Sequence, residues 1–543
     1  MKRHAFFLVA AFAMMAAQAQ NTEPIRIQYN GNSAKVTVPA DINDVTYTAK
    51  GANVTINSET TSTEYTYQVS GKASDGSLIL NGSYKLTLQL AGIDLTNNHG
   101  GAAIDIECGK RIAVELVEGT VNRLADAETG SQKAALYFKG HPEFEGKGTL
   151  YVTGNAKHAI SAKEYIELKK STGIINILGA VSDGIHCGKG QENSEHNYFL
   201  MKGGVVNITH VGSDGVDSDD FGNIRIEGGA ISINVNDDAT GLKADSCITI
   251  TDGVVTVSVT GNDSEGLRAH YATQIEGGKL NISVPGNGSK GIKGKQLTAS
   301  SETVRDGGHV VVSGGEINID VTGGNYTTEA DGEADVSKCM GVSVDADFTQ
   351  TGGALRITAL GLDAYTYNVK GTETISGGTF EVTRAPWTTN ERRYEKDMTA
   401  FIAVTSDNVV VEDYSSLAIG AFIGSECVGY ATFSKDAKGY GIMRIRSNAS
   451  TDGDAITFRL YDYNSDLEYQ LVPAQDVTFA GNGCVGSPDQ PLLLNYVPAN
   501  AIQNVYSESG DHIIYNLAGG KVEHITTPGI YIVDGKKIYI KSK

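Results

Sequence analysis

A turn glycine recurs along this chain at Gly148, Gly173, Gly204, Gly229, Gly253, Gly278, Gly315, Gly353 and Gly378, and five of those eight spacings are 24 or 25 residues. The remaining spacings, 31, 37 and 38, read as the same unit carrying inserted loops. After these glycines apolar residues alternate, as in Ile231, Ile233 and Val235, or Val255, Val257 and Val259. Period two marks a strand with one buried face. A second strand runs in phase with the first through "HAISA", "DGIHC", "DGVDS", "TGLKA", "EGLRA", "KGIKG" and "MGVSV". A third precedes each turn, as at Ile224/Ile226 and Ile248/Ile250. Three short strands per coil of about 25 residues predict a parallel β-helix, because one coil cannot bury its apolar face until its neighbours stack on it. A propeller blade needs about 40 residues, and no leucine-rich consensus is present.

The solenoid is expected over residues 40–385 of the 543. The repeat is lost after "RAPWTTNERRYEKD", and residues 398–497 carry longer strand-like runs that predict an antiparallel β-sandwich. Residues 500–543 form a last segment. The start, "MKRHAFFLVAAFAMMAAQAQ", has a basic patch, an apolar run and small residues at Ala17 and Ala19, so residues 1–19 read as a secretory signal peptide. The mature protein is expected to be exported to the surface, the periplasm or the medium. No later apolar run approaches the length of a membrane helix. A net charge of −20 argues against nucleic acid as a partner. The oligomeric state is not legible. Six cysteines, none in CxxC spacing, give no zinc motif. Cys427 and Cys484 share the later domain and are a candidate disulfide.

The stretch "GSDGVDSDDFGNIRIEGG" places Asp214, Asp217, Asp219 and Asp220 within seven residues. Stacked coils lie about 4.8 Å apart, so residues 24–26 apart become vertical neighbours. Anchored on Gly184, Gly215, Gly241, Gly266 and Gly291, one outward column reads His186, Asp217, Lys243, Arg268 and Lys293. Another reads Gly188, Asp219, Asp245, His270 and Lys295, and the column before the glycines reads Asp183, Asp214, Thr240, Glu265 and Lys290. Asp219 and Asp245 then repel each other, and Asp220, Asp237 and Asp238 belong near the same face. A hard cation with six to eight oxygen ligands turns that repulsion into coordination, which makes Ca²⁺ the expected ion. The competing reading is that these aspartates bond their own turns. An EF-hand fails, because Phe221 and Gly228 fall at ligand positions. The basic half of the columns, Lys243, Arg268, His270, Lys293 and Lys295, is either a ladder of surface ion pairs or a groove for an anionic sugar.

The repeats, the "DGI"-type strands and the Asp turns resemble the calcium-binding, pectate-lyase-like right-handed β-helix family of carbohydrate-binding domain proteins from clostridia and Bacteroidetes. The resemblance implies Ca²⁺ at Asp-rich turns, carried over to Asp214, Asp217 and Asp219, and affinity for plant polysaccharides. "IGAFIGSECVGYATF" resembles a Bacteroidetes surface sandwich module, and "PGIYIVDGKKIYIK" resembles a type IX secretion sorting segment. Three functions follow as expectations. The first is a Ca²⁺-dependent polysaccharide binder. The second is a polysaccharide lyase with Arg268 or Lys243 as base, although neighbouring acids hold these side chains protonated. The third is a structural adhesin.

Overall fold

The computed structural model describes residues 23–496, with breaks at 189–195, 298–305, 331–332, 362–363, 385–386, 388–393, 407–408, 412–413, 415–416, 432–439 and 463–466, and four short strands within 514–540. The signal-peptide reading, residues 1–19, lies outside the described residues, as does much of the last segment.

The described residues contain strands and a single 3-10 turn. A thirteen-stranded sheet takes its strands in chain order, from Val45–Lys50 to Tyr365–Val369. Its pairings are parallel except for the first, an antiparallel hairpin of Val45–Lys50 with Asn53–Ser58. A twenty-two-stranded sheet takes strands from the other sides of the same turns. This long parallel region is consistent with a β-helix, and the pairing gives the coil length directly. Val216 pairs Leu242, Leu242 pairs Leu267 and Leu267 pairs Ile292, steps of 26, 25 and 25 residues. Where the glycine spacing stretches to 38 residues, between Gly315 and Gly353, the insertion is the hairpin of Tyr326–Ala330 with Glu333–Ser337. A single apolar core runs from Ile25 to Ala359 down the inside of the stack.

Two glycine columns explain the spacing. Gly204, Gly229, Gly253, Gly278, Gly315, Gly353 and Gly378 all hold φ between +69° and +91°, a region open to glycine at no steric cost. Gly184, Gly215, Gly241, Gly266 and Gly291 do not. There a Cβ on each would meet the carbonyl oxygen of the next glycine in the column at under 3 Å. The first column turns the chain, and the second lets successive coils come close.

The second domain has its own apolar core, from Met398 to Leu494. Its nine-stranded sheet is mixed, not wholly antiparallel as the sequence suggests, because Lys396–Ser406 runs parallel to Leu492–Tyr496. The candidate disulfide is absent: Cys427 and Cys484 are both free, the first buried and the second exposed. Cys427 lies opposite Phe422 and its thiol donates to the Gly429 carbonyl, whereas Cys484 lies opposite Thr399 and its thiol donates to the Gly486 carbonyl, so each is engaged within its own segment. Trp387 packs edge-on against Phe422 and Tyr461 and donates to Glu468, so it serves this domain's packing.

Candidate functional site

The outward columns of the thirteen-stranded sheet assemble as the glycine register predicts. His186 pairs Asp217, Asp217 pairs Lys243, Lys243 pairs Arg268, and Arg268 pairs Lys293. In the neighbouring column Thr240 pairs Glu265 and Glu265 pairs Lys290. These side chains point away from the apolar core, yet much of the face is sealed. His158, Asp183, His186, Asp214 and Asp217 are each no more than 5 % exposed. The columns expected to face solvent are a buried polar seam at this end of the sheet, because the long side chains of adjacent coils cover one another.

The seam is held by shared carboxylates. Asp183 Oδ2 lies 3.0 Å from Nδ1 of both His158 and His186, whose rings stack with centroids 4.3 Å apart. His186 also approaches Asp217 at 3.5 Å through Nδ1 and Asp219 at 3.8 Å through Nε2. Lys243 Nζ bridges Asp214 at 2.9 Å and Asp217 at 3.2 Å. The acids also satisfy the backbone of the following coil: the Asp214 N–H donates to Asp183 Oδ1, and the Thr240 N–H donates to Asp214 Oδ1.

Burial opposes the charge on Asp183, but the two imidazoles overcome it and hold the carboxyl well below the usual carboxylate range. Burial likewise opposes protonation of His186, yet Asp183 and Asp217 push it up to about 9. His158 moves the other way, because burial and the neighbouring His186 charge lower it. One imidazolium, on His186, therefore serves the pair. Burial, then the charge of Asp217, pushes Asp219 up to about 6. Lys243 is raised despite its burial, by Asp214 and Asp217, so its ammonium is a poor candidate for a base.

Three sets of side chains converge closely enough to share an ion: His158, Asp183 and His186; His186, Asp217 and Asp219; and Asp183, Asp214 and Asp217. Among the described residues, His186 Nε2 is buried without a hydrogen-bond partner and Asp217 Oδ1 has the Lys243 ammonium at 3.2 Å, so a cation in the all-carboxylate set would take the place of that ammonium. The all-carboxylate set fits a hard cation in donor type, and the two sets containing histidine fit a softer one.

The other predicted acids divide. Asp245 accepts from the Asp220 N–H at 2.9 Å and faces His270 at 3.4 Å, so both border the seam. Asp237 and Asp238 are exposed and outside these sets. Asp237 accepts from the Asn262 N–H, as Asn262 does from Asn287 and Asn287 from Gly324. Asp237 thus bonds the backbone of the next coil, one step of a ladder between successive turns.

The basic half of the face is paired internally. Arg268 meets Glu265 at 3.4 Å, Lys290 meets Asp263 at 3.2 Å, and Lys293 meets Asp345 at 2.9 Å. Lys295 is exposed. Sequence reasoning left His158, Asp183 and His186 out of the candidate ligands. Asp183 and His186 stood in its columns, whereas His158 sits beside Ala159, where the glycine marker is missing.

A family model described as "Carbohydrate-binding domain-containing protein" matches residues 50–322, a segment that contains the whole seam. No curated protein matches the sequence. Among solved structures, a polysaccharide lyase-like protein from C. thermocellum, in a gadolinium derivative, aligns at 15 % identity over 66 % of this chain and 100 % of its own, with a TM-score of 0.28.

Proposed function

This chain belongs to the family of carbohydrate-binding domain-containing proteins, and from that premise we propose that it is an exported, non-enzymatic binder of acidic polysaccharide. The observation that carries the reading is the column Lys243, Arg268, Lys293, one basic group per coil at one register position. A row repeated at a fixed interval of about 4.8 Å suits an extended polymer better than a small molecule. Toward the C-terminal coils Lys290, Lys295 and Lys370 join the column, beside Glu265, Asp263 and Asp345. This basic cluster suits uronate carboxylates.

The acidic end supplies the cation site of this reading. Asp183, Asp214 and Asp217 would hold Ca²⁺, with Asp219 at the edge. Bound there, the ion would neutralise the acids and leave Lys243 free to face the glycan. The right-handed β-helix of about 25 residues per coil, the export route and the role of the second domain as a surface module belong to the same proposal. The lyase alternative is disfavoured by the Lys243 ammonium, which the seam holds protonated.

Calorimetric titration with oligogalacturonate in Ca²⁺ tests the reading. Lys293→Ala with Lys295→Ala should weaken binding about tenfold or more, as expected for lost charged hydrogen bonds, and added salt should weaken the wild type. Equal affinity in wild type and variant would reject the basic column as the binding face.

A further inference from the structure

A cleft of about 490 Å³ lies higher on the same thirteen-stranded sheet, well before the charged seam. Asp105 and Glu107 of strand Ile104–Glu107 line it, with Tyr137 and Lys133 from the next coil. Its walls are two glycine turns, one at Gly100 and Gly101 and the other at Gly130 and Ser131. Positive φ at these three glycines lets the turns stand up from the sheet. Gln132 braces them, accepting from the Gly101 N–H and donating to Asp126 and the Ala127 carbonyl.

The floor carries an unsatisfied acceptor. Among the described residues, Asp105 Oδ1 is buried with no hydrogen-bond partner. Lys133 and Lys139 act on it through their charge without a hydrogen bond: Lys139 meets Glu107 at 3.0 Å, and Lys133 lies 5.2 Å above the Tyr137 ring. Burial, followed by the Glu107 charge, pushes the Asp105 carboxyl up to about 6. A buried acceptor without a donor is costly, and a ligand that brings the donor removes that cost. The same carboxylates repel a uronate.

We infer that this cleft is a second saccharide subsite, for a sugar unit that presents hydrogen-bond donors to Asp105 and Glu107 and carries no negative charge. The inference rests on the reading of the chain as a polysaccharide binder and adds a sugar class opposite to that of the basic column. Two donors share this chemistry, the ammonium of an amino sugar and the hydroxyls of a neutral sugar. Asp105 also stands in line with the seam. Asp105 pairs Tyr137, Tyr137 pairs Ser161, Ser161 pairs His186, and His186 pairs Asp217, which pairs Lys243. Five strand spacings, about 24 Å, separate the cleft from the first basic group.

The test titrates the intact protein with a glucosamine disaccharide, with cellobiose and with oligogalacturonate, and repeats each with Asp105→Asn. The cleft should bind one of the first two with a stoichiometry of one, and Asp105→Asn should weaken it about tenfold or more. The sugar that binds identifies the donor. Asp105→Asn should leave oligogalacturonate affinity unchanged and should not lower the melting temperature, so loss of binding cannot be ascribed to misfolding. Undiminished binding in the variant, or no binding of either sugar while oligogalacturonate binds, would overturn the subsite alone. Failure of all three glycans would remove the polysaccharide reading with it.

Discussion

His186 sits where the charges of the seam are decided. Its imidazolium faces Asp183, Asp217 and Asp219, and the ring stacks on His158. In the metal-free protein the native state keeps this proton up to about pH 9, whereas an ordinary histidine releases it near 6.5. The stabilisation is therefore fully present below pH 6.5 and is lost as pH rises toward 9. It amounts to roughly 3 kcal/mol, from the size of that displacement. Denaturant unfolding in the presence of chelator should give a stability that declines across this window. His186→Asn should flatten the decline, and an unchanged slope in the variant would show that the proton is held elsewhere.

At the level of strands and coils, the close glycine column is the most sensitive part of the design. A Cβ on Gly241 would stand 2.5 Å from the Gly266 carbonyl oxygen and 2.8 Å from Val257 Cγ1, neither of which can yield without moving a coil. Gly241→Ala should cost about 1–3 kcal/mol, the range for overpacking a tight interior. Alanine at Gly92, where nothing lies within 4 Å, is penalised only for its positive φ and should cost less. Thermal melts of the two variants compare them directly. This column is also why so much of the fold and of the seam is legible in the sequence. The glycines fix the register, and the register by itself places Asp217, Lys243, Arg268 and Lys293 in one line. Where small residues other than glycine hold the same place, the marker fades, and His158 beside Ala159 and Asp105 after Ala103 are missed. Burial is missed for a different reason. Alternation tells which side of a strand a residue faces, but not whether neighbouring side chains cover it, so Asp214 and Asp217 read as exposed although they are sealed. Asp237 stands apart from the seam because an aspartate that bonds the next coil and a ligand aspartate look alike in sequence until their hydrogen-bond partners are known.

At the scale of the molecule, the described residues form two separate cores, one running from Ile25 to Ala359 and the other from Met398 to Leu494. Scanning calorimetry should accordingly resolve two transitions. Ca²⁺ should raise only the one belonging to the solenoid, since a ligand stabilises the unit that binds it. Asp217→Asn should abolish most of that shift, and a chelator without effect on the wild type would remove calcium from the account. No described helix is long and apolar enough to cross a membrane.

The in-register stack has one more consequence. Because every coil adds one strand to the sheet, the distance from Asp105 to Lys243 can change only in whole steps. Deleting a coil between them shortens it by about 4.8 Å, and duplicating one lengthens it by the same amount. The chain works as a ratcheted ruler whose notches are set by backbone hydrogen bonds and whose marks are side chains. If both sites bind sugar as proposed, two proteins with the same marks a different number of notches apart would sort glycans by the interval between the unit held at Asp105 and the acidic units.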